Sequence, residues 1–315
     1  MAHNLEMVNG KAQMAYAGET PWHGLGTAVS NDISVDDMLV KSGLDWNVYS
    51  TDTFYELNGK MVKTGKKALV RDMDGKFLSQ ISDAWNPVQN REAFEFFREF
   101  VDEGSMEMHT AGSLRGGKLV WVLAKLKDEG FELFNGDKME GYLLFSNPHE
   151  FGSGINIRFT PIRVVCNNTL TASLNSNSLN AISVNHRRAF NSDAVKETLG
   201  ISHEKMEQYK DMAFFLGSKR FTNATIDDYF NVIWPTTGKK EMSRNAELAK
   251  EVLHTQPGAE FAEGSWWQAF NAVTYLTDHK LGRSTDTRLT SAWFGANQRT
   301  KLKALETAID FAEAA

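Results

Sequence analysis

The residues best suited to chemistry in this chain are four arginines in a stretch that contains no acidic residue. Between Phe151 and Phe190 there is no aspartate or glutamate, although 40 of the 315 residues are acidic and the formal net charge is -6. Many Asn, Ser and Thr residues surround the four basic positions, which are Arg158, Arg163, Arg187 and Arg188. Guanidinium groups bind phosphate or carboxylate through paired hydrogen bonds, and amides and hydroxyls add neutral donors. The pattern predicts an anion-binding surface.

A glycine-rich segment before this stretch has nearly the spacing of a phosphate-binding loop. Residues Gly112–Leu119 read GSLRGGKL, and in such loops backbone N–H groups and the lysine surround nucleotide phosphates. However, Leu119 stands where a Mg²⁺-binding Ser or Thr is required, and the following VWVLAKL is typical of a strand, whereas the loop needs a helix. The segment therefore predicts a connection between strands, with a nucleotide loop as the alternative. In either case Arg115 and Lys118 could extend the cationic surface.

Aromatic and histidine side chains could complete such a surface. Trp22 lies in the turn-rich segment Thr20–Gly26, where its indole is either a buried plug, the usual role of Trp, or a platform on which a base stacks. Trp293 is a second candidate for stacking. His186 belongs to the sequence NHRR near the end of the acid-free stretch, which is either an exposed charged cluster or part of a phosphate contact.

The sequence offers no catalytic or metal centre. Cys166 is the only cysteine, which excludes an intrachain disulfide and a cysteine-built zinc site, and its apolar neighbours indicate a small buried hydrophobe more than a nucleophile. The eight histidines show none of the helical spacings of zinc sites. We therefore predict no catalytic residue, no metal and no cofactor. Whether the chain is an enzyme stays open.

The elements that would carry these residues indicate an α+β fold. Residues 1–30 carry no clear period. Alternation with period two, interrupted by Asn58-Gly59 and Asp74-Gly75, predicts antiparallel hairpins, and the spacing from Asn90 to Val101 predicts a helix packed on that sheet. Strand character then returns, and after Asn191 the pattern is mostly helical. We predict an α+β domain over residues 1–190, with an antiparallel sheet and a packed helix, and a helical domain or subdomain over residues 191–315.

The N-terminal residues and the hydropathy of the chain indicate where in the cell the protein is located. The first residues, MAHNLEMVNGKAQ, lack the basic and apolar regions of a secretory signal, and no apolar run reaches about 18 residues. The expectation is a protein of the bacterial cytoplasm that does not associate with membranes.

Several segments together resemble a known family. They read AYAGETPWHGLG, WNPVQNREAF, TAGSLRGGKLVW, RVVCNNTL, WQAFNAVTYLTDH and FGANQRTKLKA, and they begin at Ala15, Trp85, Thr110, Arg163, Trp267 and Phe294. These segments resemble the domain-of-unknown-function 932 family of phages and plasmids. The resemblance implies a gene carried on mobile elements, and it implies no activity, catalytic residue or cofactor.

These observations give one leading hypothesis and two alternatives. By analogy with Rad52-like single-strand annealing proteins, which combine a sheet, a helix and a basic groove, we expect a noncatalytic, homo-oligomeric protein that binds single-stranded nucleic acid. Its work would lie in recombination, replication or defence evasion of a phage or plasmid. The alternatives are an enzyme or sensor for a small phosphorylated ligand such as a nucleotide, and a structural or host-interaction protein of a phage.

Overall fold

A computed structural model describes residues 5–21, 24–163, 168–169, 181–186, 202–236, 241–282, 288, 291–293 and 295–315. The chain divides into two compact units. The first comprises Met1–Asp128, Tyr142–Arg158 and Ala181–Gly200, and the second comprises Glu129–Gly141, Phe159–Asn180 and Ile201–Ala315. Strands and helices are both abundant, with the helices concentrated toward the C-terminus, so the predicted α+β class is confirmed.

Eight of the described strands form one mixed sheet. Along the chain these strands are β3 (Met14–Ala17), β4 (Thr27–Val29), β8 (Met106–Leu114), β9 (Leu119–Leu133), β10 (Asp137–Pro148), β11 (Ile155–Arg163), β12 (Asn168–Thr169) and β13 (Ala181–Val184). Their order is β12-β11-β10-β9-β8-β3-β4, and β13 also pairs with β11. The pairs β3–β8 and β8–β9 are antiparallel, whereas β3 and β4 run parallel. A small hairpin joins β1 (Met7–Val8) to β2 (Lys11–Ala12).

A separate three-stranded sheet holds β5 (Val48–Leu57), β6 (Lys60–Arg71) and β7 (Phe77–Ile81), with β6 in the middle. Both of its connections confirm the sequence prediction. Asn58 and Gly59 adopt positive φ angles of 50° and 75°, as a tight hairpin turn between twisted strands requires. Gly75 also has a positive φ, of 66°, in the turn that joins β6 to β7.

Among the described residues of the first unit, two helices accompany the strands. Helix α1 (Val35–Lys41) begins after Ser34, whose hydroxyl accepts a hydrogen bond from the Asp37 N–H. Helix α2 (Asn90–Asp102) buries Ala93, Phe94, Phe96 and Phe97 and packs against α1 and β8. The predicted helix is therefore confirmed, but it packs against β8 of the main sheet, whereas the sequence prediction placed it on the sheet formed by the hairpins.

The second unit is mostly helical. In its described part the helices are α3 (Ser202–Ser218), α4 (Asn223–Ile233), α5 (Arg244–Val252), α6 (Trp266–Tyr275) and α7 (Ala296–Glu313). Ser243 and Ser265 cap α5 and α6 through their hydroxyls. The buried Trp266 and Trp267 anchor α6 in the core, and α6 continues into a π-helical turn, Leu276–Lys280. None of the helices in the described part of the chain has the length and hydropathy needed to cross a bilayer.

The first thirty residues contain regular structure that the sequence did not predict. Strand β3 lies inside the main sheet, and all four of its residues are buried. A strand that is covered on both faces needs no polar alternation, so its sequence, MAYA, gives no period-two signal.

Candidate nucleic-acid interface

The glycine-rich segment forms the turn between β8 and β9, as the strand interpretation predicted. A Cβ atom on Gly112 would lie 2.3 Å from the Trp121 indole, and one on Gly117 would lie 2.9 Å from Arg71 Nη1. Both distances are too short for a real Cβ contact. The glycines therefore allow close packing of a strand and its turn, and no Mg²⁺-binding hydroxyl follows them.

A buried ionic cluster lies against this turn. The Arg71 side chain is 1% exposed and donates to both carboxylate oxygens of Glu6, at 2.8 and 2.9 Å, and to Asp74 at 2.6 Å. Burial opposes the charge of Arg71, but hydrogen bonds and charge from Asp74 and Glu6 outweigh it and raise the pKa. The Ser113 hydroxyl donates to Glu6 at 2.7 Å. Arg71 is therefore fully engaged inside the protein and is not available to a ligand.

The two cations predicted on the turn lie together in it. Arg115 has a positive φ of 54°, and its Nη1 atom is 2.9 Å from Glu150 Oε2. Lys118 is partly exposed, and its carbonyl accepts a hydrogen bond from the His149 N–H at 2.8 Å. An acidic neighbour thus offsets the charge of Arg115, which weakens its attraction for phosphate.

Two further predicted residues are largely covered. Arg158 donates from Nε to Asn156 Oδ1 at 3.3 Å, and burial lowers its pKa to about 10. His186 is 1% exposed, stacks on Trp85 with 4.2 Å between ring centroids, and donates from Nδ1 to the Asn86 carbonyl at 3.1 Å. Burial lowers the pKa of His186, so a neutral ring is favoured. In this conformation His186 has almost no surface that a phosphate can reach.

The remaining predicted residues cannot be joined into one surface. Trp22, Arg187 and Arg188 lie outside the described residues, as does the side chain of Arg163, the last residue of β11. Trp293 is partly exposed and belongs to the second unit. The continuous cationic track expected from the acid-free stretch stays a prediction.

The structure reveals a different cationic surface, the β5–β6 hairpin. From Tyr49 to Lys66 almost every residue is exposed, so this part of the hairpin is a two-stranded arm without a buried face. We call residues 49–67 the ribbon. Four lysines lie in its second strand, namely Lys60, Lys63, Lys66 and Lys67.

The ribbon lysines differ in their partners. Lys63 Nζ lies 2.8 Å from Asp52, and Lys67 Nζ lies 3.2 Å from Asp83. Among the described residues, Lys60 and Lys66 form no ion pair. Two charges of the ribbon are thus directly available to an anionic ligand.

Exposed aromatic side chains accompany these lysines. Phe54 is 51% exposed and lies directly across from Lys63, and the adjacent Tyr55 is 48% exposed. At the base of the ribbon, Tyr49 and Phe77 flank Val70 in one row across the three strands, and both are about half exposed. Exposed rings beside lysines form a surface on which bases can stack while phosphates meet positive charge.

The sequence contained a signal for this surface that the hairpin prediction passed over. The segment Lys60–Lys67, KMVKTGKK, places a lysine at half of its positions and leaves no continuous apolar side. A strand with neither side apolar has nothing to bury, and it therefore projects from the core.

Comparisons with known proteins give a family and one distant relative. A protein named "Probable bifunctional SAT/APS kinase 2", from Sorangium cellulosum (strain So ce56), is 29% identical over 105 residues, which cover 32% of this chain and 18% of that protein. The chain thus spans less than a fifth of the length of this relative. No solved structure matches the chain. Residues 77–293, well over half of the sequence, match the family described as Domain of unknown function (DUF932). This chain is therefore a member of the DUF932 family.

Proposed function

We propose that this protein binds single-stranded nucleic acid without catalysing a reaction on it, in the recombination, replication or defence evasion of a phage or plasmid. The observation that carries the proposal is the exposed ribbon, in which the lysines of β6 lie beside exposed aromatic rings of β5 outside the core. The acid-free stretch from Phe151 to Phe190 provides independent support from the sequence.

Electrostatics on the ribbon favour a polyanion even though the whole protein is acidic. From Tyr49 to Lys67 the ribbon has four lysines and two carboxylates, Asp52 and Glu56, so its net charge is positive. Local segregation of charge permits polyanion binding despite a net charge of -6. When lysines bind the phosphates, counterions condensed on the nucleic acid are released into solution. The affinity for nucleic acid must therefore fall as the salt concentration rises.

The aromatic rings favour a single strand over a duplex. Bases in a duplex are already stacked on each other, whereas those of a single strand are free to stack on Tyr49, Phe54, Tyr55 or Phe77. Such stacking accepts every base, so we expect little sequence preference. Homo-oligomerisation stays a further prediction, tested by the mass of the protein in solution.

Fluorescence polarisation with a labelled oligothymidylate tests the proposal. The variant Lys60→Gln/Lys66→Gln is expected to bind more weakly and to lower the slope of log affinity against log salt by about 0.7 for each lost phosphate contact. The matched control, Lys11→Gln/Lys41→Gln, removes the same charge from exposed positions of the same unit outside the ribbon.

A second variant isolates stacking from charge. Phe54→Ala/Tyr55→Ala keeps every charge, and it is expected to lose about 1 kcal/mol or more of binding free energy for each base that stacks on the ribbon. Absence of binding at low salt refutes the proposal. Equal losses in the ribbon variants and in the control would show binding at another surface.

A further inference from the structure

The helical unit contains a cavity that the proposed function does not use. Its volume is about 560 Å³, within the range of sites that hold small organic ligands. The end of α4, the start of α5, the π-helical turn and the start of α7 surround it. The polar and aromatic lining includes Trp234, Arg244, Asn245, Lys280, Asn297 and Thr300.

The charge of the lining is positive. Arg244 and Lys280 both contribute to the wall, and no carboxylate occurs among the described residues that line the cavity. Asp278, the nearest acid along the π-helical turn, is buried and accepts a hydrogen bond from Lys301 Nζ at 2.7 Å, so its charge is neutralised inside the core. Within the described part of the chain, neither Arg244 nor Lys280 forms an ion pair.

Two helices also begin at the cavity. Arg244 and Asn245 are the first residues of α5, and Asn297 is the second residue of α7. The first N–H groups of a helix have no partner within the helix, and the helix dipole adds positive potential there. These ends reinforce the charge of the arginine and the lysine.

The π-helical turn completes the wall by presenting Lys280. The Asn297 side-chain amide donates to the carbonyls of Thr277 and Leu281, at 2.5 and 3.3 Å. These hydrogen bonds engage two acceptors that would otherwise repel an anion. They also fix the start of α7 to the turn that carries Lys280.

An indole forms the remaining specific feature of the cavity. Trp234 follows the last residue of α4, is partly exposed, and accepts a hydrogen bond at its carbonyl from the Ser243 hydroxyl at 2.8 Å. This bond links Trp234 to the cap of α5, the helix that carries Arg244. A flat ring held near a cation suits a ligand with an aromatic ring and a negative group.

We propose that this cavity binds a small phosphorylated ligand with a planar ring, the chemistry of a nucleoside monophosphate. Arg244 and Lys280 hold the phosphate, and Trp234 stacks on the ring. This inference does not depend on the ribbon, which belongs to the other unit.

Isothermal titration calorimetry with three probes tests the proposal. AMP carries both the phosphate and the ring, inorganic phosphate carries the charge alone, and adenosine carries the ring alone. AMP is expected to bind more tightly than either of the other probes. Arg244→Gln/Lys280→Gln is expected to weaken AMP binding by about tenfold or more, because charge-assisted hydrogen bonds are lost.

Two further variants make the outcome specific. Trp234→Leu should reduce the affinity for AMP to that for phosphate. Arg299→Gln removes a charge from an exposed position of α7 outside the cavity and should change the affinity by less than about twofold. Circular dichroism of each variant establishes that it is folded.

Three results would overturn the inference. They are no AMP binding at millimolar concentration, equal affinity for AMP and phosphate, or an equal loss in Arg299→Gln and in the Arg244→Gln/Lys280→Gln variant.

Discussion

Acidification should destabilise the first unit because His149 is buried in its neutral form. Its Nε2 atom lies 2.9 Å from Asn90 Oδ1. The Asn90 amide nitrogen donates to the carbonyls of Leu44 and Trp46, so Oδ1 faces the ring and His149 must donate to it. Burial, with smaller effects from the charges of His186 and Arg71, lowers the pKa of His149 from 6.5 to about 3.

The direction and the size of the effect follow from this shift. The folded state resists protonation below pH 6.5, whereas the unfolded state takes up a proton there, so stability is full above pH 6.5 and is lost as the pH falls toward 3. One pKa unit corresponds to about 1.36 kcal/mol, so the free energy of unfolding should fall by about 2 kcal/mol between pH 6.5 and 5. Burial also lowers the pKa of His186, which acts in the same direction.

The free energy of urea unfolding of the full protein, measured at pH 7.5 and at pH 5, tests this prediction. His149→Gln is the matched variant, because its amide can still donate to Asn90 but does not titrate. Its free energy of unfolding should fall by about 2 kcal/mol less than that of the wild type between the two pH values. An equal fall in both proteins would refute the assignment of the acid sensitivity to His149.

The remaining predictions concern buried contacts. Gly112→Ala should destabilise the first unit by about 1–3 kcal/mol in thermal unfolding, because its Cβ would collide with the 1%-exposed Trp121 and neither can move aside. An unchanged melting temperature would contradict the packing role of that glycine. Asp278→Asn should cost about 3–5 kcal/mol by leaving Lys301 charged, buried and without its carboxylate, whereas the double variant Asp278→Leu/Lys301→Met should recover most of that loss. Urea unfolding of both variants tests this prediction. If the double variant is as unstable as Asp278→Asn, the pair must stabilise the fold by more than the mutual neutralisation of its two charges.

Local sequence signals predicted the elements of this fold well. The Asn58-Gly59 and Asp74-Gly75 turns and the helix that begins at Asn90 are each found where the pattern placed them. The reason is that turns, caps and amphipathic stripes are encoded within a few neighbouring residues. The buried strand β3 was missed because its sequence does not alternate and its antiparallel partner β8 is distant in the chain.

The candidate sites were harder to predict, because composition does not show exposure. His186 and Arg158 look like surface groups in the sequence, yet one is buried and the other is largely covered. The cavity beside Arg244 depends on four separate elements, none of which carries a motif. Local sequence patterns do not show which residues from separate elements lie together in the fold.

Ultraviolet cross-linking of an oligothymidylate to the intact protein, followed by mass spectrometry of the tryptic peptides, tests the central claim most directly. The account predicts cross-links on the peptides that contain Tyr49, Phe54, Tyr55 and Phe77, and their loss as the salt concentration rises. Cross-links confined to peptides outside residues 49–77, or none at all at low salt, would contradict it.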